Sequence, residues 1–353
     1  MTSGVPGNGR PRVVVLDDHE GAMAEAGPLA ALADRVELTT HRETLRGEQL
    51  RAALDGVPIV VAIRERTPLD ADTLALMPDT ELILQTGGHA YHVDPEVATA
   101  AGIAVSLGRG SRKPTPVVAE ITLGLAVDWF RGLTPAIVGM REGRWPAALG
   151  RSLHGRTFGI LGLGRHGVSV AKLARAFGMD VQAWGPTLTP ERAAQHGVRA
   201  VGFEDLLSTS DVVSIHLRLS DTSRGLLGAD QLRLLRPDAL LINTARGPIV
   251  DEEALLTALH ERWFGGAALD VFDQEPLPTD HPLRRLHNVL LTPHLGYTVD
   301  LAFGDFANTT ATQLAAYLDG HLDPAHLLNP EVLASSRPRW GGVAAMWTAG
   351  GGS

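Results

Sequence analysis

Gly159-Ile160-Leu161-Gly162-Leu163-Gly164-Arg165-His166-Gly167 decides how the rest of the chain is read. A short apolar run, 157–161, leads into Gly-x-Gly-x-x-Gly, and an amphipathic helical stretch, 168–177, leads out. Strand, glycine turn and helix in that order form the fingerprint of a dinucleotide-binding βαβ unit. Within it Gly162 permits the tight turn, Gly164 lets the backbone approach a pyrophosphate, and Gly167 allows helix and strand to pack closely. The helix N-terminus then offers free N–H groups and the positive end of its dipole to the phosphates. An ordinary glycine-rich turn is the competing reading in a chain with 39 glycines. The strand before and the helix after weigh against it.

Downstream of the loop, further strands are expected at 181–184, 212–216, 239–243, 266–269 and 289–292, with helices such as 229–235 and 252–261 between them. Six strands with crossovers describe a doubly wound parallel sheet. Upstream, apolar runs at 13–16, 57–63, 81–85 and 103–105 alternate with helical patterns at 44–54 and 71–77, which implies a second parallel α/β sheet. A helix over 117–133, apolar on most faces, suits burial between domains or subunits. One more helix, 298–318, follows a cofactor unit that is already complete, so it is expected to return to the first domain.

The fold class is therefore α/β, with two Rossmann-like doubly wound domains and the cofactor domain inserted into the substrate domain. The expected boundaries are a disordered leader over 1–10, a flavodoxin-like substrate domain over 11–113 and 297–330, an NAD(P)-binding Rossmann domain over 114–296, and a flexible tail over 331–353.

Composition narrows the function. The formal charge of -9 leaves no electrostatic footprint for nucleic acid or an anionic membrane. No apolar run reaches the roughly 18 residues of a membrane span, and no leader of the secretory type precedes Val13. With no cysteine there is no disulfide, thiolate metal site or Cys nucleophile, and no side-chain spacing suggests a metal. A cytoplasmic protein acting on a small molecule is the expectation, and an anionic substrate would need locally placed arginines.

Three stretches carry reactive side chains just beyond strand C-termini, where open α/β sheets bind ligands. They are Asn243-Thr244-Ala245-Arg246-Gly247, Leu269-Asp270-Val271-Phe272-Asp273-Gln274-Glu275-Pro276 and Thr292-Pro293-His294-Leu295-Gly296. Hydride arriving at a carbonyl carbon leaves negative charge on oxygen, so a proton donor and a positive group are required. Histidine has a proton available near neutral pH, and a carboxylate bonded to an imidazole favours its charged form. Glu275 is the natural partner for His294. Arginine's planar fork holds a carboxylate bidentately, the role open to Arg246. Structural capping or burial is the competing reading for each of the three.

GLGRHG, NTARGPIVDEEAL, GAALDVFDQEP and TPHLG, in this order, resemble the D-2-hydroxyacid dehydrogenase family, the group of phosphoglycerate dehydrogenase and glyoxylate/hydroxypyruvate reductase. The resemblance runs from about Val13 to His321. It implies a hydride transfer between NAD(P)H and C2 of a 2-oxo acid or (R)-2-hydroxy acid. Arg246 would bind the carboxylate, His294 would be the acid/base, and Glu275 would tune it. Asp270 would lie near the nicotinamide carboxamide. Gly162, Gly164, Arg165, His166 and Gly167 would meet the phosphates, and Trp184, Gly185, His216, Thr244, Ala245 and Gly296 the rest of the cofactor. Backbone N–H groups around Gly87, Gly88 and His89 would receive the substrate carboxylate, with Arg64, or else Arg66, as the pocket arginine. Domain closure and a homodimer through the cofactor domain are also implied.

Several positions depart from the family pattern. The carboxylate expected about 20 residues beyond the glycine loop is replaced by Gly185, followed by Pro186 and Thr187, and Asp180 lies too early in its strand to serve. NAD and NADP both stay open, with Arg192 the nearest cation. Tyr91 and His92 make the substrate loop bulkier than usual, either facing a larger 2-oxo acid or packing beneath the loop. Arg218 stands where proline is common. A cofactor-sensing corepressor, or a dehydrogenase of another hydride donor such as formate or phosphite, are the alternative functions. The Glu275 and His294 pair argues against formate.

Overall fold

A computed structural model describes residues 10–25, 27–109, 116–145 and 149–334 of the chain. The chain divides into two compact units. One takes the segment before Pro114 together with that from Asp300 onward, and the other runs over Pro114–Val299.

The first unit holds five strands: β1 (Arg12–Leu16), β2 (Glu37–Thr40), β3 (Ile59–Ala62), β4 (Leu82–Gln85) and β5 (Ala104–Leu107). All pair in parallel, in the order β2-β1-β3-β4-β5. β3 and β4 are buried along their whole length, and strands covered on both faces read as unbroken apolar runs. That is why they are legible in sequence. β2, Glu-Leu-Thr-Thr at the sheet edge, is half-exposed and has no such run, so four expected strands become five. The helix Asp300–Leu318 belongs to this unit. Tyr317 donates from its hydroxyl to Glu81 Oε2 at 3.0 Å, and Gln313 donates to the Leu107 carbonyl at 2.7 Å.

The second unit holds β6 (Thr157–Leu161), β7 (Asp180–Trp184), β8 (Arg199–Ala200), β9 (Val212–Ile215), β10 (Leu240–Asn243), β11 (Gly266–Leu269) and β12 (Val289–Leu291). The order β12-β11-β10-β9-β6-β7-β8 is parallel throughout. Successive residues point to opposite faces. Ile160, Val212, Leu240 and Ala268 join one core with the helices Val117–Arg131 and Arg165–Ala176, while Leu161, Val213, Leu241 and Ala267 join the other. Six expected strands become seven because β8 spans only two residues at the edge.

Other expectations need correction. The helix after the glycine loop starts at Arg165 rather than 168, because Gly167 is itself helical. The helix Val117–Arg131 stops where Gly132 turns left-handed (φ 63°), and a separate helix, Leu133–Arg141, follows. The buried side chains of Val117–Arg131 pack within the second unit's own core. The flexible tail expected from 331 begins too early: Pro330–Ala334 forms a 3₁₀ turn with Val332 buried. Arg10, placed in the leader, donates to the Ala33 carbonyl. Residues 1–9 and 335–353 lie outside the described residues, as does the expected first-unit boundary at 112–114. Among the described residues no single helix is long and apolar enough to cross a membrane.

Candidate active site

The glycine loop lies where β6 neighbours β9 and the strand order reverses, the crevice at which such sheets bind ligands. Gly162 adopts φ 102°, and a Cβ there would stand 2.8 Å from the His216 carbonyl oxygen. At Gly167 a Cβ would meet the Gly162 carbonyl oxygen at 2.2 Å. Gly164, the helix N-cap, has no atom within 4 Å of its Cβ position. Two glycines thus serve the packing, and the third leaves open space over a helix N-terminus. The residues fit the phosphates of a dinucleotide. Arg165 is exposed beside this space and His166 half-buried.

His216 follows β9, its Nε2 2.9 Å from Ser214 Oγ. Burial, with a smaller contribution from His166, pushes its pKa down to about 3, so its imidazole is neutral at pH 7. Trp184 closes β7 with its ring tilted against Phe203 at 4.6 Å, and Gly185 comes next. Asp180 opens the same strand, at the opposite end from Gly185. Arg192 Nη1 donates to the Thr187 carbonyl at 3.2 Å. Arg218 is exposed, and its carbonyl accepts from Ser223 Oγ.

Beyond β10, Thr244 Oγ1 lies 3.1 Å from Thr122 Oγ1, and the Ala245 N–H donates to Asn243 Oδ1. Arg246 donates from Nη1 to the Ala245 carbonyl at 2.7 Å, and its own carbonyl accepts from Asn243 Nδ2. A Cβ on Gly247 would fall 2.1 Å from the Phe272 carbonyl carbon, so this loop rests directly on the loop beyond β11.

That second loop carries Glu275. Its Oε1 accepts from the Phe272 N–H at 2.9 Å, and its Oε2 lies 2.5 Å from His294 Nδ1. The carboxylate is therefore held from one side while it holds the imidazole from the other. His294 is left-handed (φ 54°), a conformation that costs a non-glycine residue roughly 1 kcal/mol and persists only where neighbours enforce it. Asp270 does the enforcing: Oδ1 accepts from Thr292 Oγ1 at 2.6 Å and from the Leu295 N–H, and Oδ2 accepts from the Gly296 N–H, both at 2.8 Å. Burial pushes the Asp270 carboxyl above the usual carboxylate range, against the pull of these donors and of His294. Tyr297 sets its ring edge-on to the imidazole at 5.3 Å. His294 and Glu275 are thus brought together, and Asp270 and Gly296 support them. Arg246 stands on the neighbouring loop.

In the first unit, Gly87 and Gly88 follow β4. Their amides donate to no acceptor among the described residues. Arg64, just past β3, is also left-handed (φ 53°), and its N–H donates to Thr86 Oγ1 at 2.9 Å. A Cβ on Gly87 would strike Arg64 Nη1 at 2.0 Å. His89 lies 3.2 Å from Arg64 Nη2 and stacks on Tyr91, which is 61% exposed. Tyr91 therefore does not pack beneath the loop, while His92 is half-buried. Arg66 is committed elsewhere: it grips Glu20 bidentately at 2.7 and 2.9 Å and donates to the Asp17 carbonyl. Two neighbours had no signal in sequence. Glu65 lies 3.7 Å from Arg64 Nε and 3.4 Å from His89 Nδ1, and Arg109 packs beside Gly88.

The chain matches a family model described as D-isomer specific 2-hydroxyacid dehydrogenase, NAD binding domain, over residues 123–296. It is 36% identical to a glyoxylate reductase of Korarchaeum cryptofilum, covering 77% of this chain and 82% of that protein. It is 35% identical to a glyoxylate reductase of Thermococcus litoralis, covering 83% and 89% respectively. The solved structure of a phosphoglycerate oxidoreductase from Vibrio cholerae superposes with a TM-score of 0.82 at 31% identity, over 88% of this chain and 99% of that one.

Proposed function

From its membership of the D-isomer specific 2-hydroxyacid dehydrogenase family, we propose that this chain reduces a small 2-oxo acid to its 2-hydroxy acid, or runs the reverse. The observation that carries the reading is the Glu275–His294 contact on the same sheet rim as an open glycine-rich helix N-terminus. A reduced nicotinamide, when bound, supplies the hydride. His294 gives its proton to the substrate's carbonyl oxygen as C2 gains the hydride pair. Glu275 orients the imidazole through its 2.5 Å contact with Nδ1, and Arg246 holds the substrate carboxylate and draws charge toward the oxygen. In the first unit, the amides of Gly87 and Gly88, which donate to no acceptor among the described residues, and the Arg64 guanidinium form a cradle suited to a carboxylate. The alternative of a cofactor-sensing binder has less support, because the relatives compared are named as reductases.

Loss of absorbance at the reduced-nicotinamide band with glyoxylate, hydroxypyruvate and pyruvate tests the reading. No turnover of any acid, alongside measurable cofactor binding, removes it. For the cofactor we infer that NADH and NADPH both serve. Gly185 brings no carboxylate to repel a 2'-phosphate, and the bond from Arg192 to Thr187 holds a guanidinium over the loop that follows. A Cβ at Gly185 meets only Leu188 Cβ at 3.6 Å and Gly162 Cα at 3.9 Å, both ordinary contacts, so the backbone accepts a side chain there. Gly185→Asp is expected to lower kcat/KM for NADPH roughly 100-fold, the cost of one close like-charge contact, and to leave NADH within about threefold. Equal losses with both cofactors would contradict the assignment.

A homodimer is part of the same proposal. The helix Leu133–Arg141 exposes Leu133, Ile137, Val138 and Met140 by 42–52%, and Trp145 beyond it is 85% exposed. A cluster of large apolar side chains in water marks a protein contact surface, and a second copy is the occupant expected. Sedimentation equilibrium should give twice the chain mass; the mass of one chain at about 10 μM would rule it out.

A further inference from the structure

We propose that Arg109 is a specificity residue that binds a second anionic group on the substrate, so that the enzyme favours 2-oxo acids carrying a further carboxylate. The inference rests on the reading of Gly87 and Gly88 as the carboxylate cradle. Gln85 of β4 and Leu107 of β5 are register partners, so Gly87 and Arg109 emerge side by side at the C-terminal ends of paired strands. The approach is close: a Cβ on Gly108 would lie 2.7 Å from the Gly87 nitrogen, and one on Gly88 would lie 3.9 Å from Arg109 Cγ. The Arg64 guanidinium and the aliphatic stem of Arg109 therefore both lie against this pair of amides, which donate to no acceptor among the described residues.

The charges of the two arginines are not equivalent. Glu65 stands 3.7 Å from Arg64 and 3.4 Å from His89, which offsets the positive charge on that side. Arg109 is exposed, and its Nη1 donates to the Ala325 carbonyl at 3.1 Å, a neutral partner. Among the described residues no carboxylate pairs with it. The α-carboxylate of a simple 2-oxo acid already has the two amides and Arg64 in this unit. An uncompensated cation beside the same cradle is surplus to one negative charge and suits two.

Pyruvate and oxaloacetate test this, because they differ only in the second carboxylate. Arg109→Gln keeps a donor for the Ala325 carbonyl while removing the charge, and Arg109→Lys keeps the charge. The wild type should prefer oxaloacetate over pyruvate in kcat/KM by at least about tenfold, the range of a charge-assisted hydrogen bond. Arg109→Gln should lose that preference and keep glyoxylate turnover within about twofold, and Arg109→Lys should recover part of it. Equal losses on glyoxylate and oxaloacetate would place Arg109 on the α-carboxylate or in the fold and overturn the proposal. So would a wild type that turns over glyoxylate but shows no preference between the pair. Glyoxylate, which has no side chain, reports separately on the reductase reading: if it and every other 2-oxo acid fail while cofactor binds, that reading falls first and takes this one with it.

Discussion

His294→Asn is expected to lower kcat by about 10²- to 10⁴-fold, the range for removing a positioned general acid, while the cofactor dissociation constant stays within about threefold. Asparagine is smaller than the ring but keeps an N–H donor near the position of Nδ1, 2.5 Å from Glu275 Oε2. It cannot deliver a proton near neutral pH. The supporting frame remains, because Asp270 binds the N–H groups of Leu295 and Gly296 and not the imidazole. Glu275→Gln should act in the same direction but less, about tenfold, since the imidazole loses its counter-charge and not its proton. Steady-state kinetics with a reducible 2-oxo acid, paired with cofactor titration by fluorescence, separates the two parameters. Wild-type turnover in His294→Asn would end its assignment as proton donor, and a parallel loss of cofactor binding would make the residue structural.

The glycine loop offers the second large effect, because its glycines divide into two kinds. Gly167→Ala puts a methyl group 2.2 Å from the Gly162 carbonyl oxygen, a backbone atom that cannot rotate away. The second unit should be destabilised by about 1–3 kcal/mol, as for other overpacked positions, and its melting temperature should fall by several degrees. The Cβ of Gly164→Val meets no atom within 4 Å, and Gly164 has φ -89°, open to any residue. Its melting temperature should stay within about 2 °C of wild type. Its branched side chain would nonetheless occupy the space over the helix N-terminus through which phosphates approach, and the dissociation constant for NADH should rise by about 100-fold. Calorimetry on the free protein and titration with NADH measure both. Unchanged NADH affinity in a folded Gly164→Val protein would mean that the phosphates bind elsewhere.

Much of this architecture is legible in the sequence. The central strands β3, β4, β9 and β10 are buried from end to end, and only apolar residues meet that condition cheaply. The edge strands β2 and β8 were missed because one face of an edge strand meets water and tolerates Glu, Thr or Arg. The helix Leu133–Arg141 lies beyond the 117–133 helix expected from sequence and carried no signal of its own, since only the left-handed turn at Gly132 separates two apolar helices. The candidate catalytic set was legible because strand C-termini in such sheets are followed by loops at a common rim, so a histidine, a glutamate and an arginine after three adjacent strands must lie near one another.

By itself, then, the order of apolar runs, glycines and polar loop residues determined the two parallel sheets, the glycine loop at the strand-to-helix turn and the candidate acid/base pair. These follow from periodicity and from short-range backbone geometry, both written in consecutive residues. Tertiary structure alone decided three things: that His294 is held left-handed by a carboxylate 24 residues earlier, that Arg66 is committed to Glu20 while Arg64 reaches Gly87, and that Arg109, beside the same glycines, pairs with no carboxylate among the described residues. Each depends on side chains from separate strands meeting at one sheet edge, and the charge balance of such a meeting is set by distances across strands that no local pattern encodes.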